Sequence, residues 1–292
     1  MEFHLITEAD RPLFTQYIKN NPRSAYNFYT NLIWSQRKLV KLSLSNGCLV
    51  ILWDIGRSPR VLFPQGDGDR LAAVKEVIEH FKKEARTPRF VSLDEQEVML
   101  LRNSPLPFRF SFDRDGSDYI YSRESLAVLS GKKLHAKKNH LNAFWRENRA
   151  EYKKMTAADV PECLRLYETW FSEKDESVEL LQESREATKM LMTFIGKAPE
   201  LTGGVIRIDG KIAAFTVGEQ ITDDTALIHM EYADRTVRGL YPAINQQFVF
   251  HEWQNVLYIN REEDMGDEGL RKAKESYHPL KLLNEYTAVL TK

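Results

Sequence analysis

Cysteine is nearly missing: 2 in 292 residues, Cys48 and Cys163, far apart and outside any Cys-x-x-Cys. That excludes a disulfide scaffold and reads as two buried, reduced thiols. Glycine is sparse at 14, which excludes collagen-like repeats. The longest apolar run, 48–53, is six residues, far short of the roughly 20 that a membrane-spanning helix needs. The N-terminus, MEFHLITEADRPLF, carries acids and no apolar core of signal-peptide length, so no secretory leader and a cytoplasmic location are expected. Neither sign of charge dominates: 41 Lys+Arg stand against 42 Asp+Glu. Residues 1–130 carry +2 and 131–292 carry −3, so neither half is a basic nucleic-acid domain. Seven histidines form no His-Glu-x-x-His, and His135 and His140, five apart, suit one helical face poorly, so no metal is expected. There is no Gly-x-Ser-x-Gly and no Gly-x-x-x-x-Gly-Lys-Ser/Thr, hence no support for a hydrolase elbow or a P-loop.

What is present fits a folded, two-domain chain: 42% apolar residues with 15 Phe, 12 Tyr and 5 Trp. Periodicity in the second half predicts a strand over 151–155 and helices over 158–171 and 178–195. Strands over 202–208 and 212–220 flank Asp209-Gly210, a hairpin signal. A strand over 226–233, a helix over 241–253, a strand over 256–260, a charged helix and a strand over 286–290 follow. The first half predicts the same order. It has a strand at 3–6, helices at 9–19 and 25–35, and strands at 40–44, 48–55 and 60–63 with turns at 45–47 and 56–59. A helix at 71–85, a strand at 90–93, a short helix to Arg102, and a hairpin of 108–112 with 119–121 complete it. The reading is α+β: two similar units over 1–130 and 131–292, each with a mixed, mostly antiparallel sheet flanked by helices.

One local excess stands out. Residues 131–154 hold eight Lys/Arg and two acids. Such a stretch is either a solvated helix joining two domains or a site for a polyanion such as tRNA, phosphates or an anionic lipid surface.

The element order resembles the Gcn5-related N-acetyltransferase fold, in acyl-CoA N-acyltransferase form and here in tandem. That fold offers backbone amides to a donor pyrophosphate at a turn of form Arg/Gln-x-x-Gly-x-Gly/Ala. The corresponding residues are Arg238, Gly239, Leu240, Tyr241, Pro242 and Ala243. A helix start with unpaired N–H groups suits a phosphate, and Pro242 suits a first helical turn. Tyr241 departs from the pattern by placing a phenol where a glycine is usual. Taken alone, these six residues also read as a plain helix start. In the first half the equivalent turn, Pro64 to Arg70, carries Asp67 and Asp69. Those carboxylates repel phosphate, and Asp69 suits an N-cap, so the second unit is expected to be the active one.

Three longer segments, LSGKKLHAKKNHLNAFWRE (129–147), GGVIRIDGKIAAFTVGE (203–219) and YINREEDMGDEGLRKAKESYHPLKL (258–282), resemble the family related to the C-terminal domain of phosphatidylglycerol lysyltransferase. The resemblance covers nearly the whole chain. It implies transfer of an acyl or aminoacyl group, from acyl-CoA or aminoacyl-tRNA, to an amine or hydroxyl of a small-molecule, peptide or lipid acceptor. The membrane-bound relatives carry many transmembrane helices, which this sequence lacks.

Within that frame the residues offer candidates. His229, Glu231 and Ala233 share one face of a regular strand, so Glu231 can take a proton from an attacking group or be a plain edge residue. Tyr277, after the charged helix, stands where this fold often places its acid, with Tyr232 as a second choice; packing beside Pro279 is the plainer role for Tyr277. Asn260, Arg261, Glu262, Glu263 and Asp264 follow a strand end, a common place for ligands in open sheets. Their acids suit a cationic acceptor, or form a solvated loop. A binding module that keeps the fold without the chemistry is the alternative.

Overall fold

The computed structural model describes residues 1–37, 39–55, 58–172 and 179–291. The helix start at residue 178 and part of the turn at 56–59 lie outside the described residues. The elements run in order β1 (His4–Leu5), α1 (Arg11–Tyr17), α2 (Phe28–Ile33), β2 (Val40–Ser45), β3 (Cys48–Trp53), β4 (Arg60–Leu62), α3 (Arg70–Lys83), β5 (Arg89–Leu93), α4 (Glu95–Arg102) and β6 (Phe108–Ser122). They continue with α5 (Arg123–Val128), α6 (His135–Glu147), β7 (Ala150–Lys154), α7 (Val160–Ser172), α8 (Glu179–Met192), β8 (Leu201–Ile208), β9 (Lys211–Gln220), β10 (Thr225–Ala233), α9 (Leu240–Glu252), β11 (Tyr258–Asn260), α10 (Glu268–Glu275) and β12 (Lys281–Leu290). The expected hairpin of 108–112 with 119–121 is corrected: β6 runs through as one strand. Asp113 Oδ1 accepts from the Gly116 N–H at 3.0 Å, so the Asp-Gly stretch folds on itself locally without reversing the chain.

Two units emerge, and they are not cut at residue 130. Unit 1 comprises residues 1–118, 263–266 and from 282 on; unit 2 comprises 119–262 and 267–281. The last strand of each sequence half is thus exchanged: β12 pairs antiparallel with β5, while the end of β6 pairs antiparallel with β11.

In unit 1 the strand order is β1-β2-β3-β4-β5-β12. Only β4 and β5 run parallel among the described pairings there. The β2–β3 turn takes positive φ at Asn46 and Gly47, as a tight two-residue hairpin demands. Helix α3 begins where the Asp69 side chain accepts from the Ala72 N–H, and it ends with His80, Lys82 and Lys83 against the negative dipole end. Its Val74, Val77 and Phe81, spaced for one face, pack on Val50, Leu52, Phe63 and Phe90. Each such fully buried side chain contributes roughly 1.5–3 kcal/mol.

In unit 2 the order is β6-β11-β10-β9-β8-β7. Asp209 and Gly210, both at positive φ, close the β8–β9 hairpin. Helix α9 is apolar on most sides and buries Leu240, Ala243, Ile244, Phe248 and Val249. Strands β10 and β11 run parallel but pair only over 225–227 with 258–260. Beyond that point β11 has ended, and β10 continues to Ala233 paired with β9 but without β11 beside it.

Candidate functional site

Past the end of β11, side chains from several elements of unit 2 meet. Glu231, near the end of β10, is 11% exposed; its Oε1 accepts from Arg261 Nη2 at 3.2 Å and its Oε2 from Asn245 Nδ2 at 2.9 Å. Arg261 follows β11 and is fixed through its backbone: its N–H donates to the Tyr119 carbonyl at 3.0 Å. Buried Lys274 on α10 donates to the carbonyls of Arg261 and Glu262, at 2.6 and 3.1 Å. The Arg261 guanidinium lies 4.9 Å from the Tyr277 ring centre and 5.7 Å from that of Tyr121. The Lys137 ammonium, from α6, lies 4.3 Å from the Tyr277 ring centre. Burial, with the Glu231 charge, pushes the Tyr277 phenol up to about 12 against the opposing pull of Arg261. Tyr277 therefore holds its proton at neutral pH and can give it only to a strongly basic group.

The sequence placed Glu231, Tyr277 and Arg261 in the site, and the structure brings these three together. It missed Lys137, hidden among the basic residues of 131–154, and Asn245, a buried polar residue inside an otherwise apolar helix face. That last pattern is a signal that a helical wheel of α9 carries.

The regular alternation read along β10 is corrected. A bulge lies between Ile228 and Met230, so His229 and Glu231 are not successive members of one face. The His229 side chain is 1% exposed. Its Nε2 lies 2.9 Å from Glu219 Oε1 and its Nδ1 3.5 Å from Glu262 Oε1. Burial alone lowers a histidine, but the two carboxylates outweigh it and push His229 up to about 9. Tyr232 packs with Tyr167 and Phe215, ring centres 4.6 and 5.4 Å apart.

The loop 260–264 does not gather its acids into one pocket. Asn260 Oδ1 accepts from the Glu262 N–H at 2.7 Å, and Glu262 turns to His229. Glu263 and Asp264 belong to unit 1, where fully buried Asp264 pairs with Arg114 at 3.1 Å and accepts from the Gly266 N–H.

The turn 238–243 is partly filled by the chain itself. Leu240 and Ala243 are buried, and their N–H groups donate to Val237 and Gly239. The amides of Arg238, Gly239 and Tyr241 make no backbone hydrogen bond to a described residue. Gly239 has φ +83°, and a Cβ there would lie 2.5 Å from the His140 carbonyl oxygen of α6. The close approach this glycine permits is therefore that of α6. Arg238 is exposed, with Nε 3.3 Å from His140 Nδ1. Burial pushes the Tyr241 phenol up, against the Ala233 amide and Arg235 at its hydroxyl. In unit 1 the corresponding loop is closed: a Cβ on Gly68 would stand 2.1 Å from the Asn46 carbonyl oxygen. There Asp69 caps α3, and Arg70 binds the Pro64 carbonyl and Glu97.

In 131–154, Arg146, Lys153 and Lys154 pair with Glu147, Glu151 and Glu252. Lys132, Lys133, Lys138 and Arg149 are exposed. Among the described residues no group of three or more His, Cys, Asp or Glu is placed to hold a metal, and no helix is long and apolar enough to cross a membrane.

The profile of the family described as "Phosphatidylglycerol lysyltransferase, C-terminal" matches residues 18–289. The chain belongs to that family. A crystal structure of a conserved protein of unknown function from Bacteroides thetaiotaomicron shares 34% identity, 100% of both chains and a TM-score of 0.92. The structure of L-PGS from Bacillus licheniformis matches at 16% identity over 98% of this chain and 92% of that one, TM-score 0.72. FemX matches at 7% identity over 99% and 98%, TM-score 0.63. The last two are likenesses of fold, and the fold is of the acyltransferase kind. An uncharacterised protein from Mycoplasmoides gallisepticum is 25% identical over 177 residues; the match spans 58% of this chain and 55% of that protein.

Proposed function

We propose that unit 2 transfers an acyl or aminoacyl group from an acyl-CoA or an aminoacyl-tRNA to an amine or hydroxyl acceptor. The observation that carries this reading is the Glu231–Arg261–Tyr277 cluster past the end of β11, in a chain of a lysyltransferase family. The acceptor nitrogen or oxygen attacks the donor carbonyl carbon, Glu231 takes the acceptor's proton, and the carbonyl–sulfur or carbonyl–oxygen bond breaks. Tyr277 returns a proton to the leaving group. Arg261 steadies the Glu231 carboxylate. The three amides at 238, 239 and 241 supply the donor contact, and Asn260 to Glu262 shape the acceptor side through their backbone. Exposed Lys132, Lys133, Lys138 and Arg149 give a tRNA or an anionic surface its electrostatic hold, and the first unit serves as scaffold.

Tyr241 favours a second reading, a non-catalytic module: its hydroxyl meets the Ala233 amide on the open side of β10. Two measurements separate them. Calorimetry with CoA and with aminoacyl-tRNA, each against Arg238→Glu, identifies the donor, and binding of neither rejects the transfer reading. In a transfer assay, Glu231→Gln and Tyr277→Phe, folded by circular dichroism, are expected to lower kcat by about 10²-fold or more.

A further inference from the structure

We propose that Lys137 and Arg261 form a subsite of unit 2 for an anionic group on the substrate, a carboxylate or a phosphate oxyanion. This rests on the transfer reading of the Glu231 site and adds to it a requirement on the substrate's charge.

Arg261 is 13% exposed, and only its Nη2 reaches a carboxylate; Nη1 is buried and makes no hydrogen bond. A buried guanidinium N–H left unbonded costs more than a neutral one would. Lys137 is half-buried, and its ammonium meets the Tyr277 ring, with no ion pair to a described carboxylate. A cation on an aromatic face is held less strongly than a carboxylate partner would hold it in the same surroundings. Two cations thus lie on one tyrosine ring with one carboxylate, Glu231, to balance them. Burial first, then the like charge of Arg261, pull the Lys137 ammonium below the usual lysine range, while Glu231 opposes them. An oxyanion taking a hydrogen bond from Arg261 Nη1 and a charge contact from Lys137 relieves the repulsion and the unbonded donor together. Arg261 also holds Glu231, so the same guanidinium sets the distance from the substrate's anion to the proton acceptor.

The test is calorimetry on the full chain at low ionic strength with two probes, inorganic phosphate and acetate. At least one is expected to bind saturably. Lys137→Met should weaken it tenfold or more, Lys137→Arg should keep it within about threefold, and Arg146→Met, an exposed cation near the end of the same helix, should leave it unchanged. Phosphate binding alone assigns a phosphate-bearing substrate, acetate alone a carboxylate. Saturable binding of neither overturns the subsite, as does equal weakening by Arg146→Met and Lys137→Met, which marks a diffuse basic surface. The measurement needs no turnover. Anion binding without transfer counts against the transfer reading alone, and transfer without anion binding counts against the subsite alone.

Discussion

His229 is held between Glu219 and Glu262, whose carboxylates push its imidazole up to about 9 against the cost of burial. The folded chain grips that proton more tightly than the unfolded chain. Its contribution, on the order of 3 kcal/mol, is complete below pH 6.5 and lost as pH rises through about 9. The melting temperature of the native protein is therefore expected to fall between pH 7 and 9.5, relative to His229→Gln. Parallel curves for the two proteins would remove the charged bridge. Glu285 is the opposite case. Burial first, then the neighbouring Asp118, push its carboxyl well above the usual range, and Ser92 Oγ lies 3.2 Å from it. A raised carboxyl destabilises the fold above its unfolded titration point, so Glu285→Gln should raise the melting temperature at pH 7. That gain should vanish below about pH 4. An unchanged or lower melting temperature at pH 7 would count against a buried carboxyl pair.

Helix α6 lies against the start of α9 at Gly239, and the two elements cannot come so close with any side chain there. Gly210 offers a matched control: its φ is also +83°, but a Cβ would meet nothing within 4 Å. Gly210→Ala is expected to cost about 1–2 kcal/mol for backbone conformation alone. Gly239→Ala should cost that plus about 1–3 kcal/mol for overpacking, read by urea denaturation. Equal losses would mean that α6 yields freely. This pair shows what the sequence reveals and what it hides. Asn46-Gly47 and Asp209-Gly210 are legible because a two-residue hairpin is decided by its own residues. Gly239 is legible as a required glycine, but not for which neighbour, because α6 arrives from about a hundred residues away. The bulge at His229 leaves no local mark, so the alternation read along β10 failed there. The acids of 260–264 look alike in sequence, yet His229 and Arg114 draw Glu262 and Asp264 in separate directions. Glu231, Arg261 and Tyr277 were legible because each sits at an element end that the fold positions. Lys137 was lost among seven similar cations.

For the whole molecule, element order was legible and strand partnership was not. Both halves run strand, two helices, three strands, helix, strand, helix, strand, but β12 completes unit 1 beside β5, and the end of β6 completes unit 2 beside β11. A fragment of residues 1–130 lacks β12, leaving the hydrogen-bonding edge of β5 and apolar Phe90 without their partner. It is expected to show no cooperative melting by circular dichroism, while a fragment with residues 282–292 joined by a flexible linker should recover it. Cooperative melting of 1–130 alone would show the exchanged strand to be dispensable.

That exchange also imposes a timetable on synthesis. A ribosome releases residues 119–262 well before residue 282, so the nascent first unit waits with an open seam while the second gathers nearly all its parts. Any stall between codons 262 and 282 leaves the earlier-made unit exposed to proteases and chaperones.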